Sequence, residues 1–484
     1  MPWQLAGRKV AVVGLGKTGV AVARFCCTRG AQVVGCDDRD EKALSGALSE
    51  LAPFLSAGCL TLCLGGISAQ ALCASSLVLC SPGVQPNHPA LTAARNQGLE
   101  IVGEIEFASR FVRAQVVGIT GTNGKSTVTS LCGAIAQQTG RPCFCGGNLG
   151  TPLIDAVDTP ATLEGGIVVL ELSSFQLETC RSLQCHAAAV LNVTADHLDR
   201  YPSMHEYAEA KARIFHNLPA AATRVVDGDD PQVRALCARL VRPGDRVLWF
   251  GSAPPPEPNA GFGWVKNGHL VLSWPGLPNT PATEERYALA DFQLVGGHNQ
   301  KNLLAAFLLM RGSGLATRQQ VQRAAAAFVA LPHRMQRVGE KQGVAFFDDS
   351  KGTNVDAVVA GLTGFPQPFV LIAGGRHKGG SYLPLRQVLC QQTTRGVVLI
   401  GEAAPLIAKA LVDCPFPVQH AKTLEQAVAQ SVSLCEPGDA VVLSPACSSY
   451  DMFTDYAERA RVFCAAVRDL PQTGLTAQSP KAAS

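Results

Sequence analysis

Short runs of Val, Ile, Leu and Ala alternate with segments of helical period from one end of the chain to the other, the pattern of parallel strands covered on both faces by helices. In the first hundred residues "KVAVVGLG", "AQVVGCD" and "SSLVLCSPG" are apolar runs, each followed by a glycine-containing turn. A second series follows in "AQVVGIT", "GGIVVLELS", "CHAAAVLNV" and "TRVVDGD", and a third, after "FVALPHRM", in "GVAFFDDS", "PFVLIAGG", "GVVLIG" and "DAVVLSPA". The stretch from Gly251 to about Asn279 is rich in Pro and Gly and reads as a hairpin and loop within the second series. The fold class is therefore α/β in three domains, residues 1–103, 104–330 and 331–484, built on mostly parallel sheets. The tail "PQTGLTAQSPKAAS" has no apolar period and is expected to be disordered. No short-period repeat is present.

Length agrees, since 484 residues at roughly 100 to 200 per domain make two to four domains. With 47% hydrophobic and 16% charged residues and a net charge of +3, the composition is that of a globular protein without the basic field of a nucleic-acid binder. No apolar run is long enough to cross a bilayer. Arg8 and Lys9 before "VAVVGLG" raise the question of a signal peptide, but Lys17 cuts the apolar run short, so a buried first strand is the better reading. The 18 cysteines are scattered without zinc spacing, as small core residues of a reduced, cytoplasmic protein would be.

Two glycine loops carry the chemistry. The first, "GLGKTG", has the spacing of a pyrophosphate-cradling turn, with "VVGCDD" about twenty residues on. Alone it is weak evidence for a nicotinamide cofactor, and nothing downstream offers a hydride-transfer site. The second, "GITGTNGKST", lies between a buried strand and a helix. There Gly121 and Gly124 let backbone N–H groups close around phosphate oxygens, Lys125 reaches the terminal phosphates, and the Ser126 hydroxyl can ligate magnesium. It is a variant P-loop: the strict motif requires glycine where Ile119 stands.

Magnesium wants hard oxygen ligands. Glu171 ends the run "GIVVLE", at the carboxyl edge of a sheet, and Asp196 and His197 follow "AAAVLNVTADH". A lone histidine is more often structural, but this position after a strand on the P-loop edge favours a ligand. In "SMHEYAEAKARIFHNL", Ser203 and Glu206 have capping-box spacing, and Tyr207, Ile214, Phe215 and Leu218 form an apolar stripe that includes Lys211. Such a lysine either snorkels outward or points inward. An inward amine beside magnesium would be repelled unless uncharged or made anionic, and reaction with carbon dioxide does the latter, giving a carbamate with two oxygen ligands.

The motifs "GITGTNGKST", "ELSSFQLE", "NVTADHLDRY", "GGHNQKN", "LPHRM", "DDSKGTN", "GGRHKGG" and "SPACSSYDMF" occur in the order seen in the Mur ligase family, which the chain resembles over roughly residues 8 to 465. The resemblance implies three domains serving a UDP-sugar, ATP and an incoming amino acid, the first and third Rossmann-like and the central one a P-loop ATPase-like domain with a mostly parallel sheet. It implies amide formation through an acyl phosphate and a tetrahedral intermediate, in cytoplasmic peptidoglycan precursor synthesis by a monomer. "SSFQLE" with "SPACSSYDMF" favours UDP-N-acetylmuramoyl-L-alanine and D-glutamate as substrates over those of another Mur or folylpolyglutamate-type ligase. By position, Gly121, Thr122, Asn123, Gly124, Lys125, Ser126 and Thr127 would surround the ATP phosphates. Ser126 and Glu171 would hold one Mg2+, and His197 with carbamylated Lys211 a second. Asn302 would meet adenine, and Arg334 and Asp349 the nucleotide. Lys17, Thr18, Asp37, Asp38 and Arg39 are candidate uridine contacts, while Asn148 and Ser173 would face the UDP substrate. Thr353, Lys378, Ser449 and Tyr456 would grip D-glutamate. Tyr456 stands where the family commonly has an apolar aromatic, and Arg376 and His377 replace a pairing that usually includes an acid.

Overall fold

The computed structural model describes residues 4–252, 261–274, 283–294 and 296–471. The expected disorder of the tail falls almost wholly outside them. The chain divides into two compact units, Met1–Val193 with His205–Phe328, and Thr194–Met204 with Val329–Ser484.

The first unit contains two sheets. One has five parallel strands, β1 (Lys9–Val13), β2 (Gln32–Asp37), β3 (Leu60–Leu64), β4 (Leu77–Cys80) and β5 (Ile101–Gly103), in the order β3-β2-β1-β4-β5. The other has nine strands: β6 (Gln115–Thr120), β7 (Cys143–Gly147), β8 (Ile167–Glu171), β9 (Ala187–Val190), β10 (Thr223–Asp227), β11 (Arg246–Gly251), β12 (Gly261–Lys266), β13 (His269–Trp274) and β14 (Thr283–Ala288). Their order is β14-β13-β12-β11-β10-β9-β6-β8-β7, parallel except for the antiparallel pairs β12–β13 and β13–β14. The hairpin expected in the Pro- and Gly-rich stretch is β12–β13, turning at Asn267 and Gly268, which both have positive φ. The strands in the middle of this sheet are apolar without alternation because both faces are covered; Ile119, Val128, Leu131, Val169, Leu304 and Phe307 share one continuous core. The two sheets of this unit are tied through Glu104, which accepts from the Ile154 backbone N–H at 2.7 Å, and through the ion pair Arg24–Asp155 at 2.7 Å.

The second unit carries β15 (Gln336–Lys341), β16 (Val344–Asp348), β17 (Phe369–Gly374), β18 (Thr394–Ile400), β19 (Val418–His420) and β20 (Ala440–Leu443), in the order β15-β16-β20-β17-β18-β19. Only β15 runs antiparallel. Short polar side chains start its helices where the sequence supplies them: Asn354, Thr423 and Asp455 each accept a backbone N–H of the first turn. The loops leaving the carboxyl ends of the neighbouring strands β16, β20 and β17 carry "DSKGTN", "SPACSSY" and "GRHKGG", and that edge of an open parallel sheet is where ligands bind.

Candidate active site

The P-loop leaves β6 at Thr120 and ends at Gly124, the N-cap of the helix Lys125–Gln138. Gly124 has φ +83°, and a Cβ there would stand 2.4 Å from Asn302 Oδ1, so glycine is required by conformation and by space. This contact also places Asn302, from the helix Gly297–Phe307, directly against the loop. Ser126 and Thr127 are buried in the first helical turn. Asn192, two residues beyond β9, holds the loop shape: its Oδ1 accepts from the backbone N–H groups of Thr122 and Asn123 at 3.1 and 2.7 Å, and its Nδ2 donates to Asn123 O at 3.0 Å. In the sequence Asn192 is marked only as an amide just past the apolar run of β9, the strand that pairs with the P-loop strand β6.

Lys125 Nζ donates to the carbonyls of Gly121 and Thr122 at 2.9 and 2.7 Å. Lys211 is 1% exposed and lies in the helix Met204–Ala212, among the buried Tyr207, Ile214, Phe215 and Leu218, so it points inward. Its Nζ donates to the same Gly121 carbonyl at 2.7 Å and stands 4.3 Å from the centroid of the Tyr207 ring. The Tyr207 hydroxyl is 3.2 Å from Thr122 Oγ1, closing a ring of contacts around the loop.

Glu171 ends β8 opposite Ile119 of β6 and Gly147 of β7. It is 3% exposed. Asn148 Nδ2 donates to Oε1 at 2.6 Å, and the Asn148 N–H donates to Glu171 O at 2.9 Å. Oε2 is buried with no hydrogen-bond partner, a costly state for a carboxylate oxygen that a cation would relieve. Ser173 has its side chain in a capping box with Gln176, at the start of the short helix Ser174–Leu177.

In the first glycine loop Gly14 has φ +86°, and a Cβ on Gly19 would meet Gly14 O at 1.8 Å. Asp37 is occupied by the loop itself: Oδ2 accepts from Leu15 N–H at 2.6 Å, and Arg39 binds both oxygens through Nε and Nη2 at 2.9 and 2.8 Å. Burial opposes its ionisation, but these bonds hold the carboxyl below its ordinary range. Lys17 Nζ donates to Gly150 O at 2.6 Å, linking this loop to the segment of Asn148. Thr18 is in the first turn of the helix Lys17–Thr28, and Asp38 accepts from Ile67 N–H at 3.1 Å.

His197 belongs to the second unit and has φ +55°. Its neighbour Asp196 is buried, 2.8 Å from Lys378 Nζ, and accepts from Asn354 Nδ2 at 3.2 Å. Burial works against the Asp196 charge, yet Lys378 and His197 hold its pKa at about 2. Asp349, fully enclosed after β16, accepts from Ser444 Oγ at 2.5 Å; burial pushes its pKa up to about 7 against the pull of that bond and of Arg334. Arg334 stands between His333 and Met335, both with positive φ (62° and 45°), an uncommon backbone for such residues. His333 Nδ1 lies 2.6 Å from Asp348 Oδ2, and Tyr456 sets its ring edge-on to His333 at 6.1 Å between centroids, with Lys351 Nζ 5.4 Å from it. Ser449 is buried and Thr353 half-buried in the loops after β20 and β16.

Lys125, Lys211, Thr122 and Asn302 are thus gathered at one loop, Glu171 with Asn148 at the neighbouring strand end, and His197 with Asp196 and Lys378 in the other unit. Among the described residues no group of three His, Cys, Asp or Glu side chains is arranged to hold a metal ion, and no helix is long and apolar enough to cross a membrane.

Family models match along most of the chain: a Mur ligase MurD-like N-terminal domain at residues 8–103, a Mur ligase middle domain at 119–310, and a Mur ligase glutamate ligase domain at 333–447. The chain is 42% identical over 467 residues to the UDP-N-acetylmuramoylalanine--D-glutamate ligase of Geobacter metallireducens, covering 96% of this chain and 98% of that one. It is 43% identical over 470 residues to the protein of the same name from Pelobacter propionicus, covering 96% and 100%. Among solved structures, the UDP-N-acetylmuramate-alanine ligase MurC of Thermotoga maritima shares the fold, with a TM-score of 0.59 at 19% identity over 95% of this chain and 99% of that one. A likeness of this extent, on top of a P-loop built beside a buried carboxylate and a buried lysine, makes the chain a member of the Mur ligase family.

Proposed function

We propose that the chain is an ATP-dependent ligase that joins D-glutamate to UDP-N-acetylmuramoyl-L-alanine in peptidoglycan synthesis. The reading is carried by its whole-length similarity to relatives named for that reaction. The three domains, residues 1–103, 104–330 and 331–484, serve the uridine diphosphate part of the substrate, ATP and the amino acid. The substrate carboxylate takes the γ-phosphoryl group of ATP, and the D-glutamate amine then displaces phosphate from the acyl phosphate.

The residues of the chain suit these steps. Asn192 holds the P-loop so that its backbone N–H groups face the phosphates, and Lys125, at the start of the helix, exchanges its carbonyl partners for phosphate oxygens. The unpartnered, buried Oε2 of Glu171 fits a magnesium ion, with Ser126 as the second protein ligand; when bound, the ion neutralises charge developing on the transferred phosphoryl group. Lys211 as a carbamate would keep an N–H for the Gly121 carbonyl while offering two oxygens to a further cation. Lys378, Ser449, Thr353 and Tyr456 would receive D-glutamate, with Lys378 exchanging Asp196 for a substrate carboxylate.

The test is phosphate release from ATP with UDP-N-acetylmuramoyl-L-alanine, comparing D-glutamate with L-glutamate, L-lysine and L-alanine. Release that depends on D-glutamate alone is expected. Equal release with another amino acid, or none with D-glutamate, overturns the assignment.

A further inference from the structure

We propose that Cys390 and Cys414 form an oxidisable dithiol, a modification site for two-electron oxidants of the hydroperoxide class. Cys390 lies in the last turn of the helix Leu383–Gln391 and is exposed; Cys414 lies in the turn after the helix Ala404–Ala410 and is partly exposed. Their sulfurs are 3.7 Å apart, so disulfide formation needs an approach of about 1.7 Å, within the reach of side-chain rotation on a surface. The two segments are already held together: Arg386, one turn before Cys390, donates from Nη1 to Ala410 O at 3.3 Å, and Cys414 N–H donates to Leu411 O at 3.2 Å.

The charged groups facing Cys414 are Arg386, which favours a thiolate, and Asp413, which opposes it; burial and the neighbouring thiol push the Cys414 thiol up. Cys390, the more accessible of the two, is therefore the first to react. Its thiolate attacks one peroxide oxygen, the O–O bond breaks, and the leaving hydroxide takes a proton, leaving a sulfenic acid on Cys390. The Cys414 sulfur then attacks the Cys390 sulfur, the S–O bond breaks, and water leaves with the Cys414 proton. In sum, two thiols and one hydrogen peroxide become one disulfide and two waters. Other close thiols differ in access: Cys27, beside Cys59, and Cys36, beside Cys63, are buried, and burial first, then the neighbouring sulfur, pushes each up to about 12, which suppresses the nucleophilic thiolate.

The sequence makes the test direct. After trypsin, residues 387–395 and 410–422 are separate peptides with one cysteine each. The full-length protein is treated with a small molar excess of hydrogen peroxide, remaining thiols are alkylated, and the digest is read by mass spectrometry. A linked 387–395/410–422 species that forms before any other cysteine is lost, that dithiothreitol reverses and that is absent from Cys390→Ser and Cys414→Ser is expected. Recovery of the two peptides separately alkylated while other cysteines oxidise, or Cys390 carried on to a sulfinic acid with Cys414 still alkylated, overturns the proposal.

Discussion

Lys125 and Lys211 donate to the same oxygen, the carbonyl of Gly121, at 2.9 and 2.7 Å. Two ammonium groups sharing one acceptor repel each other, the more strongly because Lys211 is buried. Conversion of Lys211 to a carbamate reverses that sign, turning a repulsive pair into an attractive one while leaving an N–H for the carbonyl. Lys211→Ala is expected to lower kcat by roughly 100-fold or more, the scale of losing one fixed charge-stabilising group. Its circular dichroism should stay native, because Tyr207, Ile214 and Phe215 still bury their stripe. Partial recovery of turnover on adding a short carboxylate checks the carbamate; near-normal activity of the variant without addition rules it out.

Asn148 fixes Glu171 by two bonds, one to the side chain and one to the backbone. It leaves Oε2 as the oxygen available to a cation. Asn148→Ala removes the side-chain bond and lets the carboxylate rotate. The expected outcome is an increase of about 10- to 100-fold in the magnesium concentration needed for half-maximal activity, the usual scale for losing a residue that orients a metal ligand. If Asn148 instead acts by touching the sugar nucleotide, the KM for that substrate rises and the magnesium dependence does not move. Titrating each ligand at saturation of the others separates the two.

The strands that positioned these residues were legible where β-branched runs are long, as in "VVGIT" and "IVVLE". β7, "CFCGG", was not, because two glycines and two cysteines give neither alternation nor an apolar run, yet it delivers Asn148 to Glu171. The inward face of Lys211 could be read from a helical wheel. Its meeting with Gly121, ninety positions earlier, could not, since only the pairing of β6 with β9 and the packing of the following helix create it. Asp37, the acid at the end of β2, accepts from Leu15 N–H and from Arg39, partners that its place in the sequence does not reveal. Hydrogen-bond satisfaction is a property of the folded loop, and spacing does not record it.

Glu104 provides a pH signature of the fold. Burial first, and the nearby Asp155 charge second, raise its pKa from 4.5 to about 7, with the backbone N–H groups of Ile154 and Leu153 pulling the other way. The folded chain thus keeps this proton where the unfolded chain has released it. Stability from this group is complete below pH 4.5 and is lost as the pH rises to about 7. Glu104→Gln does not titrate, so its stability relative to the parent should climb across that window by on the order of 3 kcal/mol and level off above it. Asp349 titrates over the same range in both proteins and cancels in the difference. Urea midpoints measured at several values between pH 4.5 and 8 check this, and a difference that stays constant with pH contradicts it.

Gly124 and Gly140 both have positive φ, +83° and +72°, but their surroundings differ. A Cβ on Gly140 meets nothing within 4 Å, whereas one on Gly124 stands 2.4 Å from Asn302 Oδ1. Each alanine substitution carries the left-handed backbone cost of about 1–2 kcal/mol. Only Gly124→Ala must also displace Asn302, which is packed against the P-loop at the start of the helix Lys125–Gln138. Gly140→Ala should therefore lower the melting temperature without changing nucleotide affinity. Gly124→Ala should lower both, with affinity for a non-hydrolysable ATP analogue down at least 10-fold. Calorimetric titration of the two variants separates backbone strain from the Asn302 contact, because strain alone predicts equal affinities.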